Sequence, residues 1–82
     1  MLLDNRIKIE SMLSQILNKD IEEIKKLDTN DNLLTVGLTS IKAISLVVLI
    51  EQSYDLALED DEFFFENLNT ISKIEKLIRK YT

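Results

Sequence analysis

A chain of 82 residues has length for one domain, and with a single glycine and no proline it lacks the turn formers on which an all-β fold leans, so composition points to helices. It holds neither cysteine nor histidine, which excludes disulfides and thiolate nucleophiles, removes the usual near-neutral proton shuttle and the commonest zinc and iron ligands, and argues against self-contained catalysis. The formal net charge is −5, and Glu51, Asp55, Glu59, Asp60, Asp61, Glu62 and Glu66 form a stretch without Lys or Arg, a surface that repels phosphate backbones and attracts basic partners, so nucleic-acid binding is not expected.

A domain this small buries only about 60% of the surface its unfolded chain exposes, so its core must be modest and well packed. It also leaves little volume for a closed substrate pocket of roughly 300 Å3. Met1-Leu2-Leu3 is followed at once by Asp4, Arg6, Lys8 and Glu10, not by the apolar stretch of a signal peptide. The longest nearly apolar run, Ile41 to Ile50, contains Lys42 and Ser45 and is about half the length of a membrane span. The expectation is a soluble, cytoplasmic, monomeric protein that contacts no membrane.

Along the chain, Asp4 to Leu17 places Ile9, Met12, Leu13, Ile16 and Leu17 at the spacing of one helical face, with Asp4 as the expected N-cap. From Asn18 to Thr39 the pattern loosens. Ile21, Ile24 and Leu27 can anchor a short turn, and Asp28-Thr29-Asn30-Asp31-Asn32 is a polar, turn-forming tract. A connection of this length inside a compact domain points to function. Ile41 to Tyr54 reads as a second helix on length, although Val47-Val48-Leu49-Ile50 alone could pass for a strand. Asp60 to Glu66, with Phe63, Phe64 and Phe65, reads as a short third helix. Thr70 to Tyr81 reads as the last one, with Ile71, Ile74, Leu77 and Ile78 on one face and Arg79 and Lys80 complementing the dipole at its end. The expected fold is therefore all-α: three main helices plus one short one, with a long loop between the first two and a single domain over residues 1–82.

Three constellations bear on chemistry. Asp28, Asn30 and Asn32 match the first, third and fifth positions of an EF-hand calcium loop, but Leu33 stands where the loop needs Gly and Thr39 where it needs a bidentate Glu, so a plain polar loop is expected. On the second helix, projected at about 100° per residue, Ala43, Leu46, Val47, Ile50 and Tyr54 share one face, and Ile41, Ile44 and Val48 form a second apolar stripe. Such a helix is buried on both sides or keeps one for a partner, and periodicity leaves both readings open. Thr39-Ser40 sits where loop becomes helix. Either hydroxyl can serve as N-cap, and a phosphate attached there would be favoured by the free amides and the dipole of the first turn.

The run Asp31-Asn32-Leu33-Leu34-Thr35-Val36-Gly37-Leu38-Thr39-Ser40-Ile41 resembles the modification-site segment of the acyl and peptidyl carrier proteins, commonly D-N-F-F-D-L-G-[GA]-[DH]-S-[LI]. Ile41-Lys42-Ala43-Ile44 is similar to the opening of that family's second helix, and Phe64-Phe65-Glu66-Asn67-Leu68-Asn69-Thr70-Ile71 to the F-E-x-P-T-I segment before its last helix. Order and spacing agree over essentially the whole chain. The resemblance implies a four-helix bundle and a 4′-phosphopantetheine arm joined by phosphodiester to Ser40, flanked by Gly37, Leu38 and Thr39. It further implies acyl or aminoacyl groups held as thioesters on the arm's thiol, and a partner-facing stripe of Ile41, Ile44 and Val48. The protein would then be a carrier and not an enzyme, the arm supplying the reactive group. Its partners would be a phosphopantetheinyl transferase, an adenylating or other loading enzyme, and downstream condensing or tailoring enzymes.

The sequence departs from the family pattern in several places. Thr39 stands where Asp or His usually precedes the serine, Thr35 replaces the customary Asp, and the later proline is missing with one extra residue in its place. Fatty-acid carriers also have acidic residues along the second helix where this chain has Lys42, Ser45 and Val48, Glu51 being the first acid. These departures favour a carrier recognised by apolar contact, as peptidyl carriers are, and weigh against a fatty-acid synthase role. The leading expectation is thus a free-standing carrier for a peptide, polyketide or related specialised pathway, with D-alanyl and fatty-acid carriers as nearest relatives. The competing expectation is a small acidic helical inhibitor or adaptor that binds a basic protein through its Glu51 to Glu66 surface.

Overall fold

The computed structural model describes residues 2–59 and 65–82. Four α-helices follow one another, α1 (Leu2–Leu17), α2 (Ile21–Lys25), α3 (Ser40–Tyr54) and α4 (Ile71–Tyr81), with 3-10 turns at Leu33–Val36 and Phe65–Asn67 and no strand among the described residues. This is the expected small all-α bundle. The apolar positions at helical spacing become its core: Ile9, Met12, Leu13 and Leu17 of α1, Ala43, Leu46, Val47 and Ile50 of α3, and Ile71, Ile74, Leu77 and Ile78 of α4 are all buried in one cluster. The first helix is the hub, since it packs against each of the other three.

One expectation is corrected. α1 begins at Leu2, so Asp4 lies inside its first turn and not at the cap, because no Pro or Gly near the chain start stops the helix from extending. The short helix expected over Asp60 to Glu66 falls mostly outside the described residues. Its described end lies in the 3-10 turn Phe65–Asn67; in the connection, where a short turn is expected, Ile21–Lys25 forms a short α-helix. Five residues do not sustain a helix alone. This one is held because Ile24 is buried in the core, while Glu22 and Glu23 in its first turn and Lys25 in its last suit the helix dipole.

The long connection is accordingly an ordered strap that delivers the chain to the start of α3. Apolar pegs at Ile24, Leu33 and Leu38 are buried in the core. Polar ties act between them: Arg6 pairs with Glu10 at 2.7 Å and donates from Nη2 to the Leu27 carbonyl at 2.8 Å. The Leu33 amide donates to the Asn69 carbonyl (2.8 Å) and the Ser72 amide to the Thr29 carbonyl (2.9 Å), joining the strap to the front of α4. Two side chains of the polar tract bond locally, Asp31 Oδ2 accepting from the Asp28 amide and Asn32 Oδ1 capping the 3-10 turn at the Leu34 amide, both at 3.0 Å. Beyond α3, the Leu58 amide donates to Glu51 Oε2 (2.9 Å), so this first acid of the acidic stretch is occupied in closing the helix end.

Candidate functional site: the start of α3

The approach to α3 is built residue by residue. Thr35 Oγ1 donates to the Asn32 carbonyl (2.7 Å), so the threonine in place of the family's acid braces the 3-10 turn. Gly37 then ends that turn at φ 106°, in the left-handed region that side-chain-bearing residues avoid. The constraint is in the backbone: a Cβ built on Gly37 would meet nothing closer than Leu17 Cδ2 at 3.9 Å. Its amide bonds back to the turn's carbonyls, Leu38 enters the core, and the chain emerges at Thr39 in extended geometry, φ −95° and ψ 172°. Helical backbone starts at Ser40.

At this junction the structure separates the two hydroxyls that sequence alone leaves equivalent. Thr39 is the N-cap, its Oγ1 accepting from the Lys42 amide at 3.2 Å while its carbonyl accepts from the Ala43 amide at 2.8 Å. Ser40 is the first helical residue. It is exposed, and among the described residues its hydroxyl makes no hydrogen bond. The amides of Ser40 and Ile41 are likewise without hydrogen bonds among the described residues, and no acidic side chain occupies the first turn. A phosphodiester on the serine oxygen suits this position, at the positive end of a 15-residue helix with two amides to spare.

Beyond Ser40 the second stripe of α3 stands clear of the core, with Ile41 79%, Ile44 56% and Val48 46% exposed. Val48 also borders a shallow groove of about 440 Å3 between α1 and α3, lined by Gln15, Ile16, Lys42, Ser45 and Leu49 as well. One exposed apolar residue of the approach is absent from the sequence expectations: Leu34, 54% exposed in the 3-10 turn before Gly37. Its signal is the Leu33-Leu34 pair, since adjacent residues in a tight turn cannot both face the core, and Leu33 is the one buried.

The sequence matches the protein family described as "Phosphopantetheine attachment site" over residues 8–78, most of the chain and the whole of the strap, α3 and the segment leading to α4. The chain belongs to this family. It is a phosphopantetheine carrier domain, and its cofactor is the covalent 4′-phosphopantetheine arm. Such domains are in general non-catalytic acyl carriers that work with transferases and biosynthetic enzymes. No curated protein matches the chain. Among the described residues, no helix is long and apolar enough to cross a membrane.

Proposed function

We propose that Ser40 is the residue that bears the arm and that the protein is a peptidyl-type carrier, a single domain over residues 1–82 that shuttles acyl or aminoacyl thioesters without catalysing their chemistry. The observation that carries the assignment is the division of labour at the helix start: Thr39 satisfies the cap and leaves the Ser40 hydroxyl exposed and uncommitted. Gly37, Leu38 and Thr39 set the position of that hydroxyl and take no part in the chemistry of the cargo. The arm contributes a thiol, which the chain itself lacks, and the protein residues contribute placement and recognition.

Partner enzymes read the exposed stripe of Ile41, Ile44 and Val48, with Leu34 of the approach as a further apolar contact. This supports the peptidyl type, because the same helix presents Lys42 and Ser45 and no acid before Glu51. The partners of this reading are a phosphopantetheinyl transferase, an adenylating loading enzyme and condensing or tailoring enzymes of a peptide, polyketide or related pathway. The carrier acts as a cytoplasmic monomer and engages neither nucleic acid nor membrane.

Intact-mass measurement after incubation with coenzyme A and a broad-specificity phosphopantetheinyl transferase tests the assignment. One added arm is expected on the wild-type protein and none on Ser40→Ala. An arm that persists in Ser40→Ala moves the site elsewhere. A folded wild-type protein that several such transferases leave unchanged overturns the carrier assignment.

A further inference from the structure

Thr39 and Ser40 present adjacent hydroxyls at one helix start, and a helix start has use for one of them. The capping residue needs extended backbone and an oxygen that accepts from an amide two or three residues on. Thr39 has both: its backbone is extended and its Oγ1 takes the Lys42 amide, three residues ahead. Ser40 has the intrinsically better capping side chain, since serine ranks above threonine at this position. If the cap at Thr39 is lost, Ser40 is the next residue able to replace it, by turning its own backbone from helical to extended and its oxygen onto the Ala43 amide. In that arrangement the hydroxyl that should face a modifying enzyme is turned onto the helix.

We propose that Thr39 is a positioning residue for arm attachment: by holding the α3 cap it keeps Ser40 helical and its hydroxyl free to react. This rests on the reading that Ser40 bears the arm. In the attachment step the Ser40 oxygen forms a bond to the pantetheine-bearing phosphorus of coenzyme A, and the pyrophosphate P–O bond breaks. Adenosine 3′,5′-bisphosphate leaves with the bonding pair, and the serine proton passes to a base of the transferase. A serine oxygen that caps its own helix is turned toward the helix amides and has one lone pair engaged, so it reacts only after the cap opens or reacts more slowly. The same logic explains how this chain does without the acid that commonly precedes the serine, because threonine supplies an accepting oxygen with no charge. Leu38, buried on the other side of Thr39, keeps the competition local by preventing the strap from sliding along with the cap.

The test compares wild type with Thr39→Ala, Thr39→Val and Thr39→Ser. Transfer of the arm from coenzyme A by a broad-specificity transferase is followed by intact mass, and the backbone of Ser40 is read from its 13Cα and 13Cβ shifts in the unmodified proteins. Thr39→Ala and Thr39→Val are expected to lower kcat about fivefold, the equivalent of one typical cap, with KM for the carrier little changed, and Thr39→Ser to restore it. In the two slow variants the Ser40 shifts should leave the helical range. A merely structural role for Thr39 lowers stability and leaves those shifts helical. Alanine at a cap costs a helix start about 1 kcal/mol and adds no β-branch, so Thr39→Ala stays folded and decides the matter even if Thr39→Val does not. Wild-type kcat in Thr39→Ala, or helical Ser40 shifts in it, overturns the proposal. Ser40→Ala that still gains an arm overturns the attachment site instead, and the shift measurement on unmodified protein stands apart from that outcome.

Discussion

The two apolar sides of α3 are made of the same kinds of residue and meet opposite surroundings. Ala43, Leu46, Val47 and Ile50 are buried against the other elements, whereas Ile41, Ile44 and Val48, interleaved with them in sequence, face outward. Burial of a full aliphatic side chain is worth about 1.5–3 kcal/mol, so the inner side holds the bundle together and the outer side contributes little to it. The proposed function gives that outer side its use, contact with partner enzymes. Removing the same number of carbons from each side therefore separates folding from recognition.

The largest effect is expected from Leu46→Ala, which opens a cavity in the core and should cost about 2–5 kcal/mol in urea unfolding. A loss well under 1 kcal/mol would mean that the inner side is not the structural one. Next comes Gly37→Ala, which leaves both sides of α3 intact and forces a side chain into the left-handed turn that aims the helix start. About 1–2 kcal/mol should be lost in the same measurement, with no steric contact to account for it. The smallest stability change belongs to Ile44→Ser, within about 0.5 kcal/mol of wild type, as for other surface positions. Its signature lies elsewhere, in a drop of about fivefold or more in kcat/KM for arm attachment, the loss of one significant interface contact. If Ile44→Ser instead unfolds the protein as readily as Leu46→Ala, the distinction between the two sides of α3 collapses.

The helices themselves were legible because their apolar residues recur at the helical period, and the last one was read to within a residue: α4 spans Ile71–Tyr81, with Thr70 as its cap through the Lys73 amide at 3.1 Å. The strap was harder. Its pegs at Ile24, Leu33 and Leu38 are too far apart to form a periodic signal, and its ties run to Arg6, Asn69 and Ser72, residues remote in the chain. The start of α1 was misread because Asp4 has a capping side chain, yet a cap forms only where the helix actually begins.

Residue order by itself determined that this protein is a helical bundle without a thiol or imidazole, that α3 has two apolar sides, and that a Gly-x-x-Ser segment leads into it. These follow from side-chain chemistry and helical period, which act locally. Only the tertiary structure decided which side of α3 is covered, because that depends on what α1 and the strap place against it. Only the tertiary structure, too, decided which hydroxyl became the cap. The reason is geometric: with Leu38 committed to the core and Gly37 turning the chain, extended backbone ends at Thr39, and the next hydroxyl is left free at the helix start.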